Sequence, residues 1–146
     1  MLQRLRSFIA LPAAERRLAL RAIALLGGVR VALRIIPFRQ LQRWAARLRP
    51  PRKPAESGPV AVRRAVIRAA RTLPGSTCLA QAIVAQRLLA QAGYEAALRI
   101  GVVSTPTALE PRAIEAHAWV EADGLVVAGE GKIDRYTALA SFDRPR

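Results

Sequence analysis

Two residue types that each occur once in this 146-residue chain could together perform nucleophilic chemistry: Cys78 and His117. A cysteine that attacks a carbonyl carbon needs a nearby base to take its proton, and histidine is the usual base. Cys78 follows a Pro74-Gly75 turn and is predicted to begin a helix, where the helix dipole and free N–H groups stabilise a thiolate. Alone, a free cysteine is more commonly a small core residue and a lone histidine a structural one. Together, at a helix start and in a strand, they predict a catalytic pair.

A third group should hold the imidazole of His117 in one orientation. Asp123-Gly124 predicts a two-residue hairpin turn, and the register that follows from it places Glu130 directly opposite His117. Opposed residues project from the same face of a sheet, with Cβ atoms about 4.5–5.5 Å apart. Glu130 is therefore the predicted third catalytic residue.

Other groups stay open as alternatives for this position. Asp123 suits the turn itself, Asp134 follows the hairpin, and a backbone carbonyl could accept the imidazole N–H instead. Glu115 and Glu121 share the face of His117 by alternation and are weaker candidates. Gln81 lies one helical turn after Cys78, where it would assist an oxyanion or, more simply, serve the structure.

The apolar periodicity changes from helical to alternating after Gly93. Helical periodicity begins after Leu11-Pro12 and continues to Ile36. Three further helices are predicted: Phe38 to Leu48, Val60 to Leu73 and Cys78 to Ala92. The predicted strands are residues 97–103, 114–121 and 125–128. This order predicts an α+β fold: a basic helical region (1–50), a Pro-rich linker (51–59), and a core (60–146) in which the cysteine-bearing helix packs on a small antiparallel sheet.

The first predicted helix has arginines on opposite sides. Arg21 and Arg30 are nine residues apart, or about 900° at ~100° per residue, so one straight helix would have no clean apolar face. A break or kink at Gly27-Gly28 is the simplest solution. Each arginine near the centre of a membrane helix costs about 2.5–3.5 kcal/mol, which argues against a bilayer span. The sequence thus favours a cytoplasmic protein and leaves a membrane-surface role open.

Charge is concentrated in the first part of the chain. The net charge is +14, and residues 1–58 hold 13 basic and two acidic residues, a net +11. The basic run from Arg39 to Lys53 matches no nucleic-acid-binding motif, and only Phe38 and Trp44 could stack on bases. Such a run is usually a solvated face, and binding of an acidic peptide or protein partner explains it as well. One cysteine excludes a disulfide framework, and one histidine argues against a zinc site. We expect no cofactor and no metal.

The motifs around the two singleton residues resemble those of a known family. The segments Gly75-Ser76-Thr77-Cys78-Leu79-Ala80-Gln81-Ala82, His117-Ala118-Trp119-Val120-Glu121 and Asp123-Gly124 are similar to those of the transglutaminase-like leader peptidases of lasso-peptide biosynthesis. Pro12-Ala13-Ala14-Glu15-Arg16-Arg17 and Ile36-Pro37-Phe38-Arg39 extend the likeness into the first part of the chain.

The resemblance implies a papain-like cysteine protease core that removes the leader from a ribosomally made precursor peptide. Cys78 would be the nucleophile and His117 the base. A separate small leader-binding protein would present the precursor, because the first third of this chain is helical and basic, and an ATP-dependent cyclase would close the macrolactam. The family's acid, usually Asp, follows the third strand. This sequence has Glu130 there instead, which leaves Glu130 as the substitute.

Overall fold

A computed structural model describes residues 10–47, 58–104, 114–129, 131 and 133–142. Its helices are α1 (Ala13–Ala32), α2 (Phe38–Ala46), α3 (Pro59–Thr72), α4 (Cys78–Ala92) and the short 3₁₀ helix Ile133–Arg135. Its strands are β1 (Ala97–Ser104), β2 (Ile114–Ala122), β3 (Leu125–Ala128) and β4 (Thr137–Phe142). The strands form one antiparallel sheet in the order β3-β2-β1-β4. The predicted α+β fold is confirmed.

Helix α4 occupies the centre of the molecule and has the predicted ends. At its start the Thr77 hydroxyl accepts a hydrogen bond from the N–H of Ala80 at 3.2 Å, and at its end Gly93 takes the left-handed conformation. The helix contacts α1, α2, α3 and strands β1, β2 and β3. Its side chains are accordingly buried around most of its circumference; the largest of them are Ile83, Val84, Gln86, Leu88 and Leu89.

Helix α1 is continuous through Gly27-Gly28, so a break at this position is excluded. Arg21 is exposed, while Arg30 reaches from the helix to donate a hydrogen bond from Nη1 to the carbonyl oxygen of Pro74 at 3.0 Å. That carbonyl gives the half-buried guanidinium a polar partner on this side of the helix. The bond also ties α1 to the turn that precedes Cys78.

Arg87 of α4 fixes the end of α2. Its Nη1 donates to the carbonyl oxygens of Trp44 at 2.8 Å and Arg47 at 3.3 Å, and its guanidinium lies 4.4 Å from the centre of the Trp44 ring. Burial lowers the pKa of Arg87. Helix α2 ends at Ala46, where the N–H of the next residue, Arg47, still donates to the carbonyl oxygen of Arg43 at 2.9 Å. The predicted end at Leu48 lies outside the described residues.

The first two helices share one core with the later elements. Leu26 of α1 and Leu41 of α2 belong to the same buried cluster as Val66 of α3 and Val120 of β2. Of the predicted linker, only Gly58 and Pro59 lie among the described residues, and Pro59 is the first residue of α3. Proline suits this position since the first helical N–H has no intrahelical partner.

Strand β4 was absent from the sequence-based prediction and forms an edge of the sheet. It pairs with β1, and the carbonyl oxygen of its last residue, Phe142, accepts a hydrogen bond from Nε2 of the buried Gln86 at 2.9 Å. Its sequence, Thr-Ala-Leu-Ala-Ser-Phe, lacks an alternation of large apolar residues, and Leu139 points to solvent with 66% exposure. The strand is thus defined by pairing with β1 and by Gln86, neither of which a local pattern reveals.

The hairpin between β2 and β3 has the predicted turn but a shifted register. Asp123 and Gly124 have positive φ values of 50° and 73°, and Glu121 pairs with Val126 as predicted. The next pair is Val120 with Ala128, so β3 carries a bulge. The register that places Glu130 opposite His117 therefore does not continue past Glu121. Glu130 itself lies outside the described residues.

The bulge brings the chain after β3 against the backbone of β2. Gly129 has φ 77°, and a Cβ atom there would lie 2.2 Å from the carbonyl oxygen of Ala118 and 2.8 Å from Cα of Trp119. Both the left-handed conformation and the close approach require glycine.

Gly129 and Gly124 provide a matched test of this close approach. Gly124→Ala should cost about 1–2 kcal/mol of stability, because only the left-handed strain applies and its Cβ position is open. Gly129→Ala should cost a further ~1–3 kcal/mol for overpacking against Ala118. Urea unfolding of both variants measures the difference, and equal losses would contradict the close approach.

Candidate active site

Cys78 lies at the first helical position of α4 and is half-buried at the margin of the core. The Thr77 hydroxyl accepts the N–H of Ala80. The N–H of Cys78, at the first helical position, has no acceptor within the helix and can donate to another group. The Cys78 side chain thus stands beside the positive end of a helix dipole. Its location agrees with the sequence-based prediction.

Gln81 holds the turn before Cys78. Its Nε2 donates hydrogen bonds to the carbonyl oxygen of Ser76 at 3.3 Å and to the Ser76 hydroxyl at 3.4 Å. With Arg30 bound to Pro74, two side chains fix the conformation of this turn. Of the two roles considered for Gln81, these contacts support the structural one.

His117 lies on β2, half-buried, with one ring nitrogen bound to the main chain. Nε2 is 2.9 Å from the carbonyl oxygen of Gly129. A carbonyl oxygen only accepts hydrogen bonds, so Nε2 must carry the proton. In the neutral imidazole Nδ1 is then unprotonated and has the lone pair that a general base needs. The main chain thereby performs the orienting role expected of a third catalytic residue.

Two aromatic rings lie beside the imidazole. The Tyr136 ring stacks on it with centroids 5.1 Å apart and planes at 26°, and the Trp119 ring lies 6.3 Å away at 20°. The Tyr136 hydroxyl donates a hydrogen bond to Glu115, which also forms an ion pair with Arg135. The Tyr136 hydrogen bond and Arg135 lower the pKa of Glu115, and the same hydrogen bond raises the pKa of Tyr136.

The other candidate carboxylates have different partners. Glu121 accepts hydrogen bonds from Nε1 of Trp119 at 2.7 Å and from Nε of Arg99 at 3.0 Å. Asp123 occupies the hairpin turn and Asp134 the exposed 3₁₀ helix, and no hydrogen bond joins either carboxylate to His117. The acceptor for His117 seen in the described part of the chain is the Gly129 carbonyl. A glycine directly after the third strand, where the family has an acid, was the available sequence signal.

The elements that carry Cys78 and His117 are in contact, since α4 packs against β2. Ala118 and Val120, which alternate with His117, lie in the core, so His117 extends from the other face of the strand. Within residues 10–47, 58–104 and the described part of 114–142, no hydrogen bond joins Cys78 to His117. The same ranges contain no group of three His, Cys, Asp or Glu side chains that could hold a metal ion.

A family model described as the transglutaminase-like superfamily matches residues 22–141. The chain belongs to the transglutaminase-like superfamily. The match begins within α1, ends within β4 and includes both Cys78 and His117. Members of this superfamily are often cysteine peptidases, and the fold is compatible with that activity. No curated protein and no solved structure matches the chain.

None of the described helices of this transglutaminase-like domain is both long enough and apolar enough to cross a membrane. Helix α1 has the length, at 20 residues, but carries arginines on both its exposed and its inner side. The described helices therefore agree with the prediction that the arginines of the first helix oppose a bilayer span.

Substitution of Glu130 distinguishes the two acceptors proposed for His117. Because Nε2 already has the Gly129 carbonyl, we expect Glu130→Ala to lower kcat by less than about tenfold, well short of a general base's usual contribution of about 10²–10⁴. Steady-state kinetics of peptide cleavage measure this. Asp123→Ala and Asp134→Ala are the matched controls and should behave like the wild type. A loss of about 100-fold in Glu130→Ala alone would make the carboxylate the orienting group.

Proposed function

We propose that the chain is a cysteine peptidase that removes the leader from a ribosomally made lasso precursor peptide. Cys78 is the nucleophile and His117 the base in this proposal. The observation that carries it is the hydrogen bond from His117 to Gly129, which leaves Nδ1 as the basic nitrogen. Membership of a superfamily rich in cysteine peptidases supports the reaction class, and the sequence motifs support the lasso precursor as substrate.

The reaction follows from the chemistry of these groups. Nδ1 of His117 takes the thiol proton, and the Cys78 sulfur attacks the carbonyl carbon of the amide at the leader–core junction. The main-chain N–H of Cys78, free of an intrahelical acceptor, donates to the oxyanion. His117 returns the proton to the departing amine of the core. Water, deprotonated by the same imidazole, then hydrolyses the thioester and releases the leader.

This mechanism requires the Cys78 sulfur and His117 Nδ1 to come within hydrogen-bonding reach when substrate is bound, starting from an arrangement in which the His117 side chain leaves β2 on the face opposite the core residues Ala118 and Val120. Catalytic hydrogen bonds are often long or misaligned in free enzymes and tighten in the substrate complex. The Nε2–Gly129 bond is compatible with such an approach, because it occupies the nitrogen that the reaction does not use.

Partners follow from the same proposal. A small leader-binding protein would present the precursor, and an ATP-dependent macrolactam cyclase would use the amine that cleavage frees. Acyl transfer to an amine would share the Cys78 thioester and is a variant of the mechanism. A non-catalytic basic adaptor for an acidic peptide, a membrane surface or nucleic acid is the competing function, and the exposed arginines of α2 favour it as much as they favour a peptidase.

Substitution and alkylation test the catalytic pair. Cys78→Ala and His117→Ala should each abolish cleavage with the fold intact, and the double variant should be little worse than either, because members of a catalytic unit are not additive. The Cys78 thiol should alkylate rapidly at neutral pH in the wild type and slowly in His117→Ala, as measured by mass spectrometry with iodoacetamide.

Proximity of the two side chains can be measured separately. The bifunctional reagent 1,3-dibromoacetone should link Cys78 to His117, and the product is unambiguous because the chain has one cysteine and one histidine. Cleavage retained in Cys78→Ala would exclude the peptidase mechanism. A slowly alkylating thiol that forms no cross-link would instead support the adaptor.

The basic face of α2 should guide the precursor or its binding protein. Arg39, Arg43 and Arg47 are exposed, recur every four residues and therefore share one face of the helix and the residue that follows it. Exposed charges are screened over ~8–10 Å at physiological ionic strength, so affinity should fall as salt rises. Calorimetry at low and high salt measures this for the wild type and for the triple Arg→Gln variant.

A second triple variant controls for net charge. Arg17, Arg21 and Arg34 are exposed arginines of α1 and its C-terminal end, and replacing them by Gln removes the same three charges elsewhere. The α2 variant should lose most of the affinity and most of its salt dependence, whereas the control should retain both. Equal losses in the two variants would mean that net charge alone acts.

A further inference from the structure

The Tyr136 ring is held against His117 by contacts on several sides. Its main chain is fixed because its N–H donates to the carbonyl oxygen of Ile133 at 2.9 Å and because the next residue, Thr137, pairs with Val102 of β1. Its hydroxyl is bound to Glu115 of β2. The position of the ring is therefore set by both the sheet and the 3₁₀ helix.

Arg135 completes this arrangement. It forms an ion pair with Glu115, and its guanidinium lies 5.2 Å from the centre of the Tyr136 ring. Glu115 thus accepts from both Tyr136 and Arg135, and it is on the same strand and face as His117, two residues away. Residues 115, 117, 135 and 136 form one connected group, which we term the tyrosine clamp.

The clamp supplies a constraint that the main chain alone does not. One hydrogen bond from Nε2 to Gly129 fixes one point of the imidazole but permits the ring to turn about that bond. A stacked ring 5.1 Å away, with planes at 26°, restricts this turning, because a large rotation would drive the imidazole edge into the Tyr136 face. Together the two contacts define the direction in which Nδ1 points.

We propose that Tyr136 is a positioning residue for His117, holding the imidazole plane by ring stacking while Glu115 and Arg135 hold Tyr136. The catalytic consequence rests on the proposed peptidase function, but the orientation of the imidazole does not. The ring, rather than the hydroxyl, makes the contact with His117. The hydroxyl contributes by keeping the ring in place.

Two substitutions separate the ring from the hydroxyl. Tyr136→Leu removes the stacked ring and should lower kcat by about tenfold or more with KM little changed, since misplacement of a reacting group by about 1 Å can cost 10²-fold. Tyr136→Phe keeps the ring and should retain most of the wild-type kcat. Thermal unfolding of both variants verifies that the fold is intact.

A spectroscopic measurement tests the stacking contact without peptidase activity. The chain has one histidine, so the NMR signals of its ring C–H groups belong to His117. A stacked tyrosine shifts these signals by its ring current. They should move in Tyr136→Leu and stay near their wild-type positions in Tyr136→Phe, in the Cys78→Ala background as well as in the native chain.

The outcomes separate the two proposals. Signals and kcat unchanged in Tyr136→Leu would overturn the clamp, and so would moved signals with an unchanged kcat. A raised KM with an unchanged kcat would also overturn it, because Tyr136 would then contact the substrate rather than orient the base. Cleavage that survives in Cys78→Ala would refute the peptidase, while a signal shift in Tyr136→Leu would still establish that the Tyr136 ring lies against His117.

Discussion

The near-complete burial of α4 is the constraint on which the rest of the structure depends. A helix that is apolar around most of its circumference must be enclosed, and here α1, α2, α3 and the sheet enclose it. Alanines at positions such as 82 and 85 leave room for these neighbours to approach closely. Burial of the body of the helix leaves its N-terminal end, with Cys78, at the margin of the core. The same packing requires the basic N-terminal helices to join the core, and the family match includes most of α1 and all of α2.

The sequence predicted correctly those helix and strand ends that are defined by a capping side chain or a turn residue. The limits of α4 follow from Thr77 and Gly93, and the turn of the β2–β3 hairpin follows from Asp123-Gly124, because capping groups and left-handed residues act over a few positions. Features that depend on contacts between residues far apart in the sequence could not be predicted from such local patterns. The half-buried Arg30 of α1 binds a carbonyl 44 residues away, and β4 is defined by its pairing with β1 and its hydrogen bond from Gln86.

The bulge in β3 explains why the register counted from the hairpin turn predicted the right segment opposite His117 but not the Gly129 carbonyl as its acceptor. One extra residue moves the chain after Ala128 out of the unshifted register, and the left-handed Gly129 then turns its carbonyl toward His117. A main-chain acceptor has no residue identity, so the sequence pattern pointed to the neighbouring carboxylate instead. What the sequence does record is the glycine, since any Cβ at this position would overlap Ala118.

Charge divides the molecule into two regions of different electrostatic character. Around His117 the acidic side chains are neutralised locally, Glu115 by Arg135 and Glu121 by Arg99, so the face of the sheet beside the imidazole has little excess charge among its described residues. The N-terminal segment has the opposite character, a net +11 over residues 1–58, with its arginines largely exposed on α1 and α2. Long-range attraction thus arises from the helices and local orientation from the sheet. In the proposed peptidase, an acidic peptide would be drawn to the helices, while the imidazole would be held by a main-chain hydrogen bond and ring stacking, contacts that salt screens little.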